Sequence, residues 1–143
     1  MGDVRLTVDT DVVVAAMRSP TGASAALLAL LLEGKGTWLL SVAMALECES
    51  TCMLADHRLV ANANESDVQN LLSSIFDIIV PVEIHYQWRP QLSDANDEMI
   101  LETAVNGQAD AIVTFNHTDF KDAPRRFGIH LWKPAEALRE IRK

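Results

Sequence analysis

Cysteine, basic charge and long apolar runs are all scarce in this 143-residue sequence, and each scarcity excludes something. The two cysteines, Cys48 and Cys52, sit four apart in one helical pattern with no histidine cluster beside them. They are too few for a disulfide framework and lack the partners of a zinc site, so they read as a buried, reduced pair. The longest apolar stretch, Ala23 to Leu32, falls short of the roughly 18 residues that a bilayer span needs, and no signal-peptide flanks accompany it. A soluble, cytoplasmic protein with no membrane partner is expected. Lys and Arg number 12 against 20 Asp and Glu, for a net charge of −8. From Lys121 onward seven basic residues face three acidic ones, whereas residues 1–120 hold five against seventeen. Such an acidic body lacks the positive field that drives nonspecific nucleic-acid binding. A polyanionic substrate would have to be held by local basic groups, by bound cations or by a partner's charge.

What is present is the makings of a core. With 49% apolar and 22% charged residues the chain is globular, and its length suits one domain, residues 1–143. Val4 to Val8 is a β-rich run ending at Asp9. Thr10 or Asp11 is placed to cap a short helix over Val12 to Met17, and Ser19-Pro20-Thr21-Gly22 makes a turn into an Ala/Leu helix, Ala23 to Glu33. Thr37 to Leu40 reads as a second strand, and Ser41 caps a helix reaching about Leu54, with Glu47 on a different face from Met44, Cys48 and Cys52. A further helix is expected from Asn64 to Phe76, a third strand from Ile78 to Val82 broken by Pro81, and a loop from His85 to Ser93. Ala111 to Thr114 and Ile129 to Trp132 are short buried-strand patterns, Asp122 to Gly128 is a loop, and Pro134 opens a last helix, Ala135 to Arg142. Strands alternate with helices throughout, without repeat or linker. That order predicts a three-layer α/β/α domain with a mainly parallel central sheet.

The stretch from Asp94 to Phe120 organises the functional reading. Asp94 and Asp97 open a helix whose apolar positions Ile100, Leu101, Ala104 and Val105 recur at helical spacing. After the break at Asn106-Gly107, the strand at Ala111 to Thr114 runs into the polar turn Asn116 to Asp119. Both elements deliver acidic or polar groups to their ends, and Asp9 and Glu47 from far upstream complete one acidic pocket. Gathered carboxylates repel one another and need a cation or a proton, and oxygen-only ligands suit Mg²⁺ or Mn²⁺. A cation so held suits phosphodiester hydrolysis. Each residue also has a purely structural reading. Asp94 is a ready N-cap with Asp97 three residues on, Asn116 and Asp119 fit a turn, Asp9 fits a cap, and Glu47 fits a surface position.

Four blocks taken together are similar to the PIN domain, the nuclease fold named for the PilT N-terminus and shared by VapC-type toxins of toxin–antitoxin systems. They are Val8-Asp9-Thr10-Asp11-Val12, then Ser41 with Glu47, then Asp94-Ala95-Asn96-Asp97-Glu98 with Ala104, and last Ile112-Val113-Thr114-Phe115-Asn116 followed by Asp119-Phe120. The resemblance spans nearly the whole chain. It implies a metal-dependent endoribonuclease, the toxin of a toxin–antitoxin pair, with Asp9, Glu47 and Asp97 as the catalytic acids. Asp9, Asp97, Asn116 and Asp119 would be the metal ligands, with Thr10, Asp94 and Thr114 behind them. The fourth acidic position, commonly Asp after the Val-Thr pair, is Asn116 here, as in a branch with a TFN-then-DF pattern, and Asp119 or Asp94 is left to supply the charge. The resemblance further implies an antitoxin partner and a homodimer. The Leu27 to Leu31 stripe, Tyr86 and Trp88 are the candidate contacts, although the stripe reads first as core, and Arg125 and Arg126 are candidates for gripping RNA phosphate. Two rival readings stand beside this one. Val8-Asp9-Thr10-Asp11-Val12 also fits the start of a haloacid-dehalogenase-like phosphatase, which wants a later lysine that the sequence hardly offers. A PIN fold with weak metal binding, acting as a binding or regulatory module, is the other.

Overall fold

The computed structural model describes residues 3–87 and 89–143, so Trp88 lies outside the described residues. Five strands, β1 (Arg5–Val8), β2 (Thr37–Leu40), β3 (Val80–Pro81), β4 (Ala111–Val113) and β5 (His130–Trp132), form one sheet in the order β3-β2-β1-β4-β5. Every pairing is parallel, with Leu6 opposite Trp38 on one side and Val8 opposite Val113 on the other. The central position of β1 explains why it does not alternate: Leu6, Thr7 and Val8 are all buried, because both faces of a parallel sheet are covered by helices.

Nine helices are described: α1 (Thr10–Arg18), α2 (Ala23–Leu32), α3 (Val42–Cys52), α4 (Ala55–Ala61), α5 (Glu65–Ile78), α6 (Ala95–Asn106), α7 (His117–Phe120), α8 (Ala123–Arg126) and α9 (Pro134–Arg142). They make the two outer layers of the α/β/α sandwich. Leu6, Val8, Trp38 and Val113 pack with α1, α2, α5 and α9 on one face, while Leu39 and Ile112 pack with Ile100, Leu101 and Phe120 on the other. The Leu27 to Leu31 stripe is core: Leu27, Leu28 and Leu31 are buried, each worth about 1.5–3 kcal/mol relative to exposure. Cys48 and Cys52 are buried free thiols with sulfurs 4.0 Å apart, about twice a disulfide bond length. Among the described residues no single helix is long and apolar enough to cross a membrane; α1 and α2, which pass only as a pair, meet at 108°.

Several boundaries differ from expectation for identifiable reasons. The capping box between Asn64 and Asp67, with bonds of 2.8 and 3.0 Å, starts α5 firmly, and the helix then runs through Ile78, leaving β3 only two residues. Pro81 is tolerated there because β3 is an edge strand. The expected helix to Leu54 instead stops at Cys52, Leu54 turns extended, and α4 follows. None of the α4 residues is buried, so no apolar stripe announced it. The polar turn at 116–119 and the loop at 122–128 contain the single-turn helices α7 and α8, too short to show a period, and Phe120 and Ala123 anchor them in the core.

The α6 helix carries two working faces. Glu98, Glu102 and Asn106, spaced by four, fasten the preceding segment along one of them. Glu98 Oε1 accepts from the backbone N–H of Gln91 (2.5 Å) and Leu92 (2.7 Å), and the buried Glu102 carboxylate takes a two-pronged contact from Arg89 at 2.8 and 2.6 Å. Asn106 Oδ1 accepts from His85 and Tyr86 N–H, both at 2.9 Å. The buried Leu92 N–H and the buried Glu98 and Glu102 carboxylates are thereby satisfied, and a buried polar group left unpaired costs about 1–3 kcal/mol. The N-terminal end of α6 is thereby held in place beside the sheet.

Candidate acidic active site

The chain leaves β1 toward one side of the sheet, through β2 to β3, and returns to the other side of β1 as β4 and β5. Between β1 and β4 the strand order therefore reverses, and ligands of open α/β sheets bind at the carboxyl ends of the strands flanking such a point. Asp9 directly follows β1 and Thr114 directly follows β4; the Asp9 N–H donates to Val113 O at 2.9 Å. A cavity of about 690 Å³ opens there. Its walls carry Asp9 and Asp11 from the start of α1, Glu47 from α3, and Asp94 and Asp97 from the start of α6.

Hydroxyl groups set the positions of these acids. Thr114 Oγ1 lies 2.8 Å from Asp9 Oδ2 and 3.3 Å from Asp11 Oδ2; its single proton serves the nearer oxygen, and it accepts from the Asn116 N–H at 3.0 Å. Asp11 Oδ2 also accepts from the Phe115 N–H at 3.1 Å, while its Oδ1 is buried without a hydrogen-bond partner. Glu47 receives the Thr10 hydroxyl on one carboxylate oxygen and the Thr51 hydroxyl, at 3.0 Å, on the other. Asp94 caps α6 by accepting from Asn96 N–H at 2.8 Å and Asp97 N–H at 3.4 Å, which leaves the buried Asp97 carboxylate free to face the cavity.

Burial and mutual repulsion raise the proton affinity of this group. The Asp9 carboxyl is pushed up to about 7, by burial first and then by the Asp11 charge, although the Thr114 hydroxyl opposes the shift. Asp97 is pushed up to about 6, by burial and then by Asp94, Asp119 and Asp11. Burial also raises Asp11. Carboxylates from the start of α1, the start of α6 and α7 thus sense one another's charge, which is the electrostatic environment a cation relieves.

The expected residues do not all fall in the same place. Asp9, Thr10, Glu47, Asp94, Asp97 and Asn116 line the cavity. Asp119 stands behind Asn116, accepting from its Nδ2 at 2.8 Å, and Thr114 is buried behind Asp9. Arg125 and Arg126, on α8, are exposed and line no part of this cavity. Asp9 rather than Thr10 or Asp11 is the N-cap residue of α1, and it makes no side-chain cap bond because its carboxylate turns to Thr114. Asp11, read in the sequence only as a capping residue, is instead a wall of the cavity. Arg18 and His57 were not singled out in the sequence at all. Arg18 is the only Lys or Arg side chain lining the cavity among the described residues, and His57 Nδ1 is buried without a partner.

The donor set fits Mg²⁺ or Mn²⁺ in kind: mostly oxygen ligands, with the His57 imidazole beside them, several carboxylates with raised proton affinity, and an unpartnered Asp11 oxygen. Among the described residues, however, no three Asp, Glu, His or Cys side chains converge closely enough to make a ready-formed cation cage. Lysine, which a phosphatase of the haloacid-dehalogenase type would need at its phosphate, lines no part of the cavity.

Residues 5–118 match the family model described as a PIN domain. No curated protein matches the chain by sequence. The fold is similar to that in the crystal structure of VapBC2 from Rickettsia felis bound to a DNA fragment from their promoter, with a TM-score of 0.59 and 15% sequence identity, covering 91% of this chain and 98% of that one.

Proposed function

Because the chain belongs to the PIN domain family, we propose that its acidic cavity hydrolyses phosphodiester bonds of RNA with Mg²⁺ or Mn²⁺, and that it is the toxin component of a toxin–antitoxin pair. The observation that carries this reading is the meeting of Asp9, Glu47 and Asp97, from three separate elements, in one cavity at the reversal of strand order. Asp9 and Asp97 would hold the cation, with Asp11, Asn116 and Asp119 beside them. Held there, such an ion would offset charge on the phosphate oxygens and lower the pKa of a water bound to it. Glu47, which accepts from two threonine hydroxyls, would take the proton from the attacking water. Thr114 holds the Asp9 carboxylate in orientation, and Asp94 fixes the first turn of α6 under Asp97. The likeness to a VapBC complex supports an antitoxin as partner. Exposed Val42 and Leu46 on α3, with Leu59 and Val60 on α4, support a protein-covered face for it or for a second copy of this chain.

Incubating an unstructured RNA with the protein in Mg²⁺ or Mn²⁺, and again in EDTA, tests the reading. Cleavage is expected with the metal only, lost in Asp97→Asn and retained in Glu49→Gln, whose carboxylate lies on α3 outside the cavity. Cleavage that survives chelation, or release of phosphate from phosphomonoesters instead, contradicts it. The absence of a ready-formed cation cage among the described residues, with Asn116 in place of a carboxylate, favours one second reading, a PIN fold that binds partners without cutting RNA. Inactivity in fully metal-loaded protein is the result that selects it.

A further inference from the structure

Phe115 lies two residues past the end of β4 and is 51% exposed, although Thr114 before it and the whole of β4 are buried. Phe115 forms part of the wall of the acidic cavity and of a second hollow of about 320 Å³. Ala15 and Ser19 of the α1 end are shared in the same way. Beyond them the hollow is bounded by Ala23 at the start of α2 and by Lys133 and Pro134 at the start of α9. Its lining is therefore mostly small and apolar, apart from the cation at its edge.

Two cations bracket the ring. Arg18 closes the last turn of α1 on the cavity side and Lys133 stands on the hollow side; both are exposed and neither has an ion-pair partner among the described residues. Arg18 lies eight residues along α1 from Thr10, about 12 Å from the helix start where the carboxylates gather. A ligand that touches both ends must be longer than a single phosphate group. Lys133 belongs to the segment from Lys121 onward in which basic residues outnumber acidic ones, whereas Arg18 stands in the acidic body of the chain.

From this arrangement, and resting on the nuclease reading above, we infer that the hollow behind Phe115 receives an unpaired nucleobase adjoining the cleaved phosphodiester, stacked on the Phe115 ring, while Lys133 and Arg18 contact flanking phosphates. An exposed aromatic face beside an apolar slot, with cations on either side, is the chemistry that holds a single strand. A duplex cannot offer an unstacked base to the ring. Because the lining carries few polar groups, the subsite selects for an unpaired base more than for its identity.

Phe115 acts through its ring, since its backbone N–H, which donates to Asp11, persists in any substitution. The test compares wild type with Phe115→Ala, Phe115→Trp and Lys133→Ala on two substrates in Mn²⁺: a short unstructured RNA, and bis(p-nitrophenyl) phosphate, a diester with no base to place in the hollow. Binding of the fluorescein-labelled RNA is measured separately by anisotropy in EDTA. Phe115→Ala is expected to raise the RNA Kd and the KM for cleavage about tenfold, with Phe115→Trp restoring both. Hydrolysis of bis(p-nitrophenyl) phosphate falls by a smaller factor than RNA cleavage does, since this diester places no base on the ring and loses no stacking contact. Lys133→Ala lowers the salt dependence of RNA binding by about one unit of slope. An unchanged Kd in Phe115→Ala, an equal loss on both substrates, or no RNA binding by wild type overturns the inference. RNA binding that depends on Phe115 in a protein that cleaves neither substrate upholds the subsite while removing the nuclease assignment.

Discussion

Asp9→Asn is expected to abolish RNA cleavage and, in the absence of metal above pH 7, to make the protein more stable. The activity should fall at least about 1,000-fold, which corresponds to roughly 4 kcal/mol of lost transition-state stabilisation. The stability gain follows from the raised carboxyl. At pH 8 Asp9 is held ionised in a site that favours its protonated form up to about pH 7, and each unit of such a shift represents about 1.4 kcal/mol. An isosteric amide removes that cost and keeps an oxygen to accept the Thr114 proton. A gain on the order of 3 kcal/mol should raise Tm by roughly 5–10 °C for a chain of this size. A residue present only for structure would behave in the opposite way: the substitution would lower Tm. Thermal denaturation in EDTA at pH 8 separates the two.

The second large effect is on pH dependence. Because the native carboxyls of Asp9 and Asp97 titrate near 7 and 6, above the ordinary 3.8, the metal-free native state holds more protons than the unfolded chain between about pH 4 and 7. Stability therefore falls as pH rises through that window. The deficit is complete above pH 7 and vanishes below pH 4, where the unfolded carboxyls are protonated as well. Urea denaturation in EDTA should show the metal-free protein gaining a few kcal/mol between pH 8 and pH 5, and Asp9→Asn gaining distinctly less. A wild-type stability that is flat or that drops over this interval would contradict the crowding of carboxylates in the cavity.

How far this site was legible in the sequence depends on the distance over which each residue's role is decided. Asp9 and Asp97 could be found because a strand end and a helix first turn place them, and both are local features. Glu47 was legible by helical phase, which sets it on a different face from the buried Met44, Cys48 and Cys52. Asp11 was misread as a cap because its partners, Thr114 and the Phe115 N–H, arrive only when β4 pairs beside β1, more than a hundred residues later. Arg18 and His57 join the cavity through the packing of α4 on α1, and α4 itself has no buried stripe from which to infer it. The parallel sheet and its layers were readable from strand and helix alternation. The strand order that creates the reversal beside Asp9 was not, because short parallel strands carry no register information of their own.

A divalent cation shared by these carboxylates is the central requirement of the proposed chemistry. The direct measurement is calorimetric titration of the metal-free protein with Mn²⁺ at pH 7.5, in two buffers of different ionisation enthalpy, for wild type and Asp97→Asn. Saturable binding accompanied by proton release is predicted for wild type, because a ligand carboxyl that titrates near 7 must give up its proton to the metal. In Asp97→Asn the affinity should drop at least about tenfold. Absence of saturable binding in wild type, or equal affinity in the variant, would contradict the claim.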